Sequence, residues 1–400
     1  MKKKILLIIS FFLIEGIIHN LGHPVTPALV RGMEIKDYMF GVFFAMMSLG
    51  MMIGAPIWGI IGDRGHKKIS IIIGLTVYSV GQFFFAYSGN QIWMVIFRLV
   101  SGLGVSAPLT LLTSEVIESS EKQFRAKNLA YVGAATTLGT SIGYWLGGFI
   151  STNPYLKSIL GTTDLRVVFL IQSLLNFVYV LYIIITFREG KKIIHITNHP
   201  SFITSLKNIT KIDITQLLFF ISLFFMTMAN TNLNKYIDVH FNILGYTSQD
   251  LGTFVMVTGI VSLITTIFLV PLFAKARKQL MLISIIQITS AVIVLIVFRA
   301  EHFLLFVYTI YMIYIVFKTI YQPLEQNYIA SGADESRFSS IMGLRQSFLS
   351  LGMFIGPLVG GFLYNEKPLW LFDFSSVSFI FGVMFLGLII IIKKRNKITE

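Results

Sequence analysis

Glu15, His19 and His23 follow one another at four-residue intervals inside a long apolar run. On a helix that spacing puts all three on one face, with Asn20 bordering the stripe. Glu15 lies about ten residues into the run, roughly 15 Å deep at 1.5 Å per residue. A charge in hydrocarbon costs on the order of 2.5–3.5 kcal/mol by insertion scales, so a carboxylate there needs a task or a partner. The chemistry on offer is proton carriage: burial favours the neutral acid, a nearby cation favours the carboxylate, and a change of surroundings moves the proton. Histidine can relay that proton or bind substrate; lining a polar cavity is an equally good reading of His19 and His23. Arg98 reaches a comparable depth in a later apolar run and is the expected partner of Glu15. The alternative is a static ion pair that only fixes helix packing.

Further ionisable residues break other apolar runs. Glu115 lies one turn from the end of its run, with Glu118 and Glu121 beyond, and either joins the chemistry or is a solvated helix end. Lys318 stands mid-run, followed by Tyr321, Gln322, Pro323 and Glu325. Glu325 pairs with Lys318 or with Arg345, and Lys318 either binds an anionic group or balances an acid. Asn230, Thr231, Asn232, Asn234, Lys235, Tyr236 and Asp238 crowd one end of another run, as a wet cavity wall would. His23, Asn230, Asn234, Tyr236, Lys318 and Tyr321 are therefore the candidate substrate-cavity residues. The tyrosines could stack on an apolar or cationic compound.

The elements that position these groups follow from composition. The chain is 55% hydrophobic and 13% charged, where soluble domains carry nearer a quarter charged. Continuous apolar runs, rather than alternation, exclude an outer-membrane barrel. The expected fold is an all-α polytopic membrane protein with twelve transmembrane helices in two pseudo-symmetric six-helix bundles. The spans fall at about 5–30, 39–62, 70–88, 91–117, 127–150 and 166–187, then 213–237, 248–272, 279–299, 303–330, 340–363 and 371–392. The domains are an N-terminal half at 1–187, a polar cytoplasmic linker at 188–212 and a C-terminal half at 213–400.

The start, Met1-Lys2-Lys3-Lys4 before an apolar run, is read as the first span and not a signal peptide, because no small-residue cleavage site precedes Glu15. Cysteine is absent, which excludes disulfides and thiolate metal sites. Net charge is +13. The basic residues favour the loops on the side of both termini by about 22 to 7, which predicts cytoplasmic termini. No nucleic-acid motif, metal cluster, nucleophile elbow or phosphate loop occurs, so the expectation is a carrier, not an enzyme.

Two segments repeat one pattern. Gly139, Gly143, Gly147 and Gly148 form G-x-x-x-G-x-x-x-G-G-F with Phe149. Gly352, Gly356, Gly360 and Gly361 form it again with Phe362. Glycines four apart line one helix face and let a neighbour approach closely in lipid. The repeat marks two related halves.

The sequence Gly59-Ile60-Ile61-Gly62-Asp63-Arg64-Gly65-His66-Lys67-Lys68 resembles the loop signature of the major facilitator superfamily, G-x-x-x-D-R-x-G-R-K, with its second glycine one place early. Arg98-Leu99-Val100-Ser101-Gly102-Leu103-Gly104 resembles that family's R-x-x-x-G-x-G element. The two glycine segments resemble its G-x-x-x-G-P-x-x-G-G motif, Tyr144 replacing the proline that Pro357 keeps. A degraded copy of the loop signature, without its Asp, lies near Pro271–Lys278. The resemblance implies that spans one, four, seven and ten line a midplane cavity reached from either side in turn, and that the protein is a monomer. It implies an exporter, because the glycine motif goes with exporters in that family. Asp63, Arg64 and Gly59 are expected to form a conformational latch, a carboxylate meeting a helix N-terminus or an arginine in one state and releasing it in the other.

The expected function is proton-coupled export (antiport) of amphipathic small molecules or drugs, with Glu15, Arg98 and His19 coupling the proton. The partners are a small-molecule substrate, protons and the lipid bilayer. No cofactor is expected, the proton gradient being the energy source. The alternatives are export of a polar or anionic metabolite, flipping of a lipid-linked solute, and a sensor without transport. The abundance of Lys, Ile and Asn fits an AT-rich bacterial genome and a bacterial inner membrane.

Overall fold

The computed structural model describes the backbone of residues 2–63, 65–188, 213–273, 276, 278–331 and 338–399. Every regular element among them is helical. The first apolar run is two helices. α1 (Lys2–Asn20) ends before a turn at residues 21–25, and α2 (Thr26–Gly32) restarts with Pro27 in its first turn. Proline is tolerated there because the first helical N–H groups have no intrahelical acceptor. The break falls inside the expected span 5–30, at Pro24 and Pro27, whose rings are expected to break or bend a helix there.

The chain continues through α3 (Tyr38–Asp63), α4 (Lys67–Tyr87), α5 (Gln91–Ser119), α6 (Lys122–Thr152), the short α7 (Pro154–Leu160) and α8 (Arg166–Thr186). After the linker come α9 (Ile214–Ile243) and α10 (Ser248–Ile264), which runs through a π-helical turn, Thr265–Leu269, into α11 (Val270–Phe273). Then follow α12 (Gln279–Val297), α13 (Phe303–Tyr308), α14 (Ile310–Ser331), α15 (Phe338–Glu366) and α16 (Pro368–Thr399). Ten of the described helices are long and apolar enough to cross a membrane. The first and fifth expected spans, α1 and α6, complete the set. Lys3, Lys4 and Glu15 make one more charged than the ten, and a basic start with many Gly and Thr lowers the hydropathy of the other.

Two compact units form. The first holds α1–α8, the end of α9 from Ile237 and α10 as far as Leu263. The second holds the earlier part of α9 and the remaining helices. Most of the expected linker 188–212 lies outside the described residues.

In the first unit α3 and α4 both pack on α5, α1 packs on α6, and α4 packs on α8. The R-x-x-x-G-x-G element serves two of these contacts at once. A Cβ on Gly102 would meet the Met47 carbonyl carbon of α3 at 2.9 Å, and one on Gly104 would meet Tyr78 Cα of α4 at 3.0 Å. A core of Phe11, Ile71, Leu75, Leu112, Val116, Tyr179 and Ile183 fills the space between α1, α4, α5 and α8.

The repeated glycines do what their spacing predicts. Gly139, Gly143 and Gly147 face the carbonyls of Leu13, Ile17 and Leu21, so α6 lies against the bare backbone of α1. In the second unit Gly352 and Gly356 face the carbonyls of Phe224 and Met228, each 2.8 Å from an added Cβ, and Gly360 abuts Asn232. Gly148 leaves the stripe and meets Gln249 of α10. Gly361 is buried in α15, while Pro357 lies inside that helix.

Candidate functional site

The glycine seat fixes the height of α1 against α6, and so the height of its polar stripe. Glu15, His19 and His23 come together as expected. They line one cavity of about 190 Å³ in the first unit, with Phe12, Asn20, Met47, Met51, Val105, Leu109 and Thr136. The wall is apolar and soft, two thioethers among its side chains, with the ionisable groups confined to α1 and the turn after it.

Glu15 is 3% exposed. Its ionic neighbour is His19, whose Nδ1 lies 3.7 Å from Oε1. Among the described residues neither carboxyl oxygen finds a hydrogen-bond partner. His19 is held on three sides. Its Nε2 lies 3.1 Å from Asn176 Oδ1 of α8, and its ring lies 4.0 Å from the Tyr78 ring. Its carbonyl accepts from the Tyr78 hydroxyl at 3.1 Å and from Gln172 Nε2 at 3.0 Å. Gln172 donates to Tyr78 as well, at 2.9 Å.

The expected Glu15–Arg98 pair is not formed. The Arg98 guanidinium lies 3.7 Å over the Phe85 ring and points Nη1 at Gln82 Oε1 (3.5 Å) and Met47 Sδ (3.9 Å). Its Nε finds no hydrogen-bond partner among the described residues. Equal depth is not equal azimuth: on α5 the arginine faces α3 and α4, while Glu15 faces His19.

His23 sits in the turn after α1, its ring stacked 5.4 Å from Tyr144 and 6.3 Å from Phe44. The Tyr144 hydroxyl donates to Asp238 Oδ2 at 2.9 Å, a buried contact between α6 and the end of α9. The residue that replaces the motif's proline is thus a tie within the first unit. On either side of it, Gly252 of α10 packs on the Tyr144 carbonyl and Gly259 against Ser141.

Glu115 is not a solvated helix end. It is 1% exposed and pairs with Lys4 of α1 and with Lys67 of α4 (3.2 Å), and Lys67 also reaches Glu118 at 2.6 Å. Four charges clamp the ends of α1, α4 and α5. Of the expected latch, the Asp63 side chain and Arg64 lie outside the described residues, as do Lys275 and Arg277 of its second copy. Gly59 has open space beside it. The early glycine of that loop has a backbone reason: Gly65 takes φ +84° as the chain leaves α3, a left-handed conformation that a side chain would strain.

In the second unit a two-rung ladder joins α9 to α14. Tyr314 donates to Asn230 Oδ1 at 2.6 Å, and Lys318 donates to Asn234 Oδ1 at 2.7 Å. Glu325 takes Arg345 in a two-bond fork at 2.5 and 2.7 Å, so among the described residues Lys318 has no carboxylate partner. Tyr321 is buried beside that fork. Tyr236 packs 5.0 Å from Tyr364, away from the ladder.

The residues that sequence reading passed over are Asn176, Gln172 and Tyr78, while Asp238, expected in a cavity wall, instead takes the Tyr144 hydroxyl. Gln172, Ser173 and Asn176 are polar residues within about one helical turn of an apolar span, and that spacing is the signal that could have found them. Among the described residues no cluster of metal-binding side chains occurs.

A family model described as Major Facilitator Superfamily matches residues 6–337 and 217–398. The quinolone resistance protein NorA of Staphylococcus aureus (strain COL) is 26% identical over 388 residues, 94% of this chain and 93% of that protein. Multidrug resistance protein 1 of Bacillus subtilis (strain 168) is 26% identical over 365 residues, 90% of this chain and 89% of its own length. Among solved structures, a D-xylose–proton symporter superposes with a TM-score of 0.73 at 13% identity, covering 96% of each chain. A bacterial homologue of the human lysosomal transporter Spinster, inward-facing and occupied, gives 0.73 at 12% identity, also over 96% of each. At such identities the likeness is one of fold.

Proposed function

This chain belongs to the major facilitator superfamily, and we propose that it is a proton-coupled exporter of amphipathic small molecules working by alternating access. The observation that carries this reading is the buried Glu15, facing His19 across 3.7 Å in a soft-walled cavity, with no hydrogen bond to either oxygen from the described residues. An acid kept in that state inside a membrane serves a function. Its proton can be exchanged for a bound compound without breaking an ion pair. The resistance proteins of S. aureus and B. subtilis, similar along nearly the whole chain, support export of drug-like compounds. The carrier is a monomer in the bacterial cell membrane, with halves at 1–187 and 213–400, both termini cytoplasmic and no cofactor. The proton gradient drives it.

The test uses purified protein in liposomes with an imposed pH gradient, comparing wild type with Glu15→Gln. Internal pH is followed while lipophilic cations and polar metabolites are added. The reading requires proton release by a lipophilic compound that the Gln variant lacks; equal coupling in both would overturn it.

One observation favours a second reading, export of an anionic or polar solute. Lys318 donates to Asn234 and, among the described residues, meets no carboxylate. An ammonium so placed suits a substrate carboxylate or phosphate. The same compound panel decides, since polar anions and not cations would then release protons.

A further inference from the structure

Resting on the reading of Glu15 as proton carrier, we propose that Asn176 is its positioning residue: it fixes His19 as the Nε2–H tautomer, turns the Nδ1 lone pair toward Glu15, and so makes the two side chains hold one proton between them.

The assignment follows from which atoms can only accept. Asn176 Nδ2 lies 2.8 Å from the Leu75 carbonyl oxygen and 2.7 Å from Ser79 Oγ. A backbone carbonyl has no proton to give, so the amide nitrogen must face it. That orients the whole amide and leaves Oδ1 toward His19 Nε2 at 3.1 Å. An amide oxygen also only accepts, so Nε2 carries the hydrogen. The ring cannot turn away, since Tyr78 covers it at 4.0 Å and two donors hold the His19 carbonyl. Nδ1 is left 3.7 Å from Glu15 Oε1.

Two loaded states then fit, a neutral acid facing a lone pair or a carboxylate facing an imidazolium. Loss of that proton sets a carboxylate against a lone pair, with no donor to either oxygen among the described residues. Among the described residues the titratable groups around Glu15 are His19 and His23 on its own segment, Tyr78 of α4 and Tyr179 of α8, with Arg98 of α5 beyond Tyr78. Arg98 is held on Phe85 and Gln82, and the Tyr179 hydroxyl donates to the Phe11 carbonyl at 3.1 Å. The emptied pair is therefore an unmatched negative wall in a cavity lined by methionines, a site for a lipophilic cation. Proton and cation compete for one place, which antiport requires.

In Asn176→Leu, His19 is free to carry its hydrogen on Nδ1 and to donate it to the Glu15 carboxylate. A hydrogen bond to the charged form favours that form, so the pair gives up its proton more easily. The experiment reads the tautomer directly, by histidine ¹⁵N and ¹³C shifts of the full chain in nanodiscs. His19→Gln identifies the His19 signals among the seven histidines. The expected result is Nε2–H in wild type and Nδ1–H in Asn176→Leu. The pH midpoint of tetraphenylphosphonium-driven proton release should also fall, by about one pH unit for the variant. Nδ1–H in wild type overturns the proposal, as does a folded Asn176→Leu with tautomer and midpoint unmoved. If that variant does not fold, the wild-type spectrum alone decides. The tautomer is read without transport, so a failure of the proton-carrier reading, seen as undiminished coupling in Glu15→Gln, is a separate result.

Discussion

Replacing Tyr144 by Phe removes one hydroxyl and nothing else. That hydroxyl gives Asp238 a 2.9 Å hydrogen bond in a buried site, and Asp238 is 2% exposed. A hydrogen bond to a charged group contributes about 1.5–3 kcal/mol, and a buried acceptor deprived of its donor costs a similar amount. If opening between α6 and α9 already lets water reach Asp238, the loss falls on the closed state alone. At about 1.4 kcal/mol per decade, the open population rises roughly 10- to 100-fold. The chain has no cysteine, so one reporter thiol reads this opening without background. Ser151→Cys is suitable, because Ser151 lies on α6, two turns beyond Tyr144, and is 5% exposed. A water-soluble maleimide added to the purified protein in nanodiscs should label Ser151→Cys at least about tenfold faster with Tyr144→Phe than without it. Equal labelling rates, with equal protein in the membrane, would show that the Tyr144–Asp238 contact holds nothing shut.

Four other perturbations have definite outcomes. Gly143→Val places a side chain on the Ile17 carbonyl, and overpacking of this kind costs about 1–3 kcal/mol. The thermal midpoint in detergent should fall, with Gly59→Ala, which has open space, as the unaffected comparison. Glu325→Gln breaks the fork to Arg345 and leaves a cation without its partner, costing about 3–5 kcal/mol; the midpoint should drop further than for Lys318→Gln. Glu115→Ala takes the carboxylate from Lys4 and leaves Lys67 with Glu118 alone, and proteolysis at the start of α1 should quicken. Arg98→Lys keeps the charge but loses the flat stack on Phe85, so proton coupling should survive while stability falls; loss of coupling at unchanged stability would return Arg98 to the proton path.

The spans, the glycine stripes and the cavity face of α1 were legible because each depends on spacing along one helix. Glu15, His19 and His23 needed only a four-residue period, and Gly139, Gly143 and Gly147 likewise. Partners were less legible because they depend on how helices are rotated about their axes. Arg98 had the right depth for Glu15 and the wrong azimuth. Glu325 had two cations within reach in sequence, and only the packing of α15 chose Arg345. Asn176 lies in a span otherwise dominated by apolar residues, and its meaning appears only when α4 and α8 bring Leu75, Ser79 and His19 around one amide. Tyr144 read as a motif's missing proline, and its contact with Asp238 depends on a helix nearly a hundred residues away.

The Met47 sulfur lies 3.9 Å from the Arg98 guanidinium and lines the cavity with Met51. Oxidants convert such a thioether to a sulfoxide, whose oxygen is a strong, directional acceptor. At Met47 that oxygen would meet Arg98 at once, exchanging a weak sulfur contact for a charge-assisted hydrogen bond. The cavity would gain a fixed dipole and lose part of its compliance, narrowing the range of shapes it accepts. Peroxide stress would then act on this protein as a reversible change of specificity, undone by methionine sulfoxide reductase and absent from Met47→Leu.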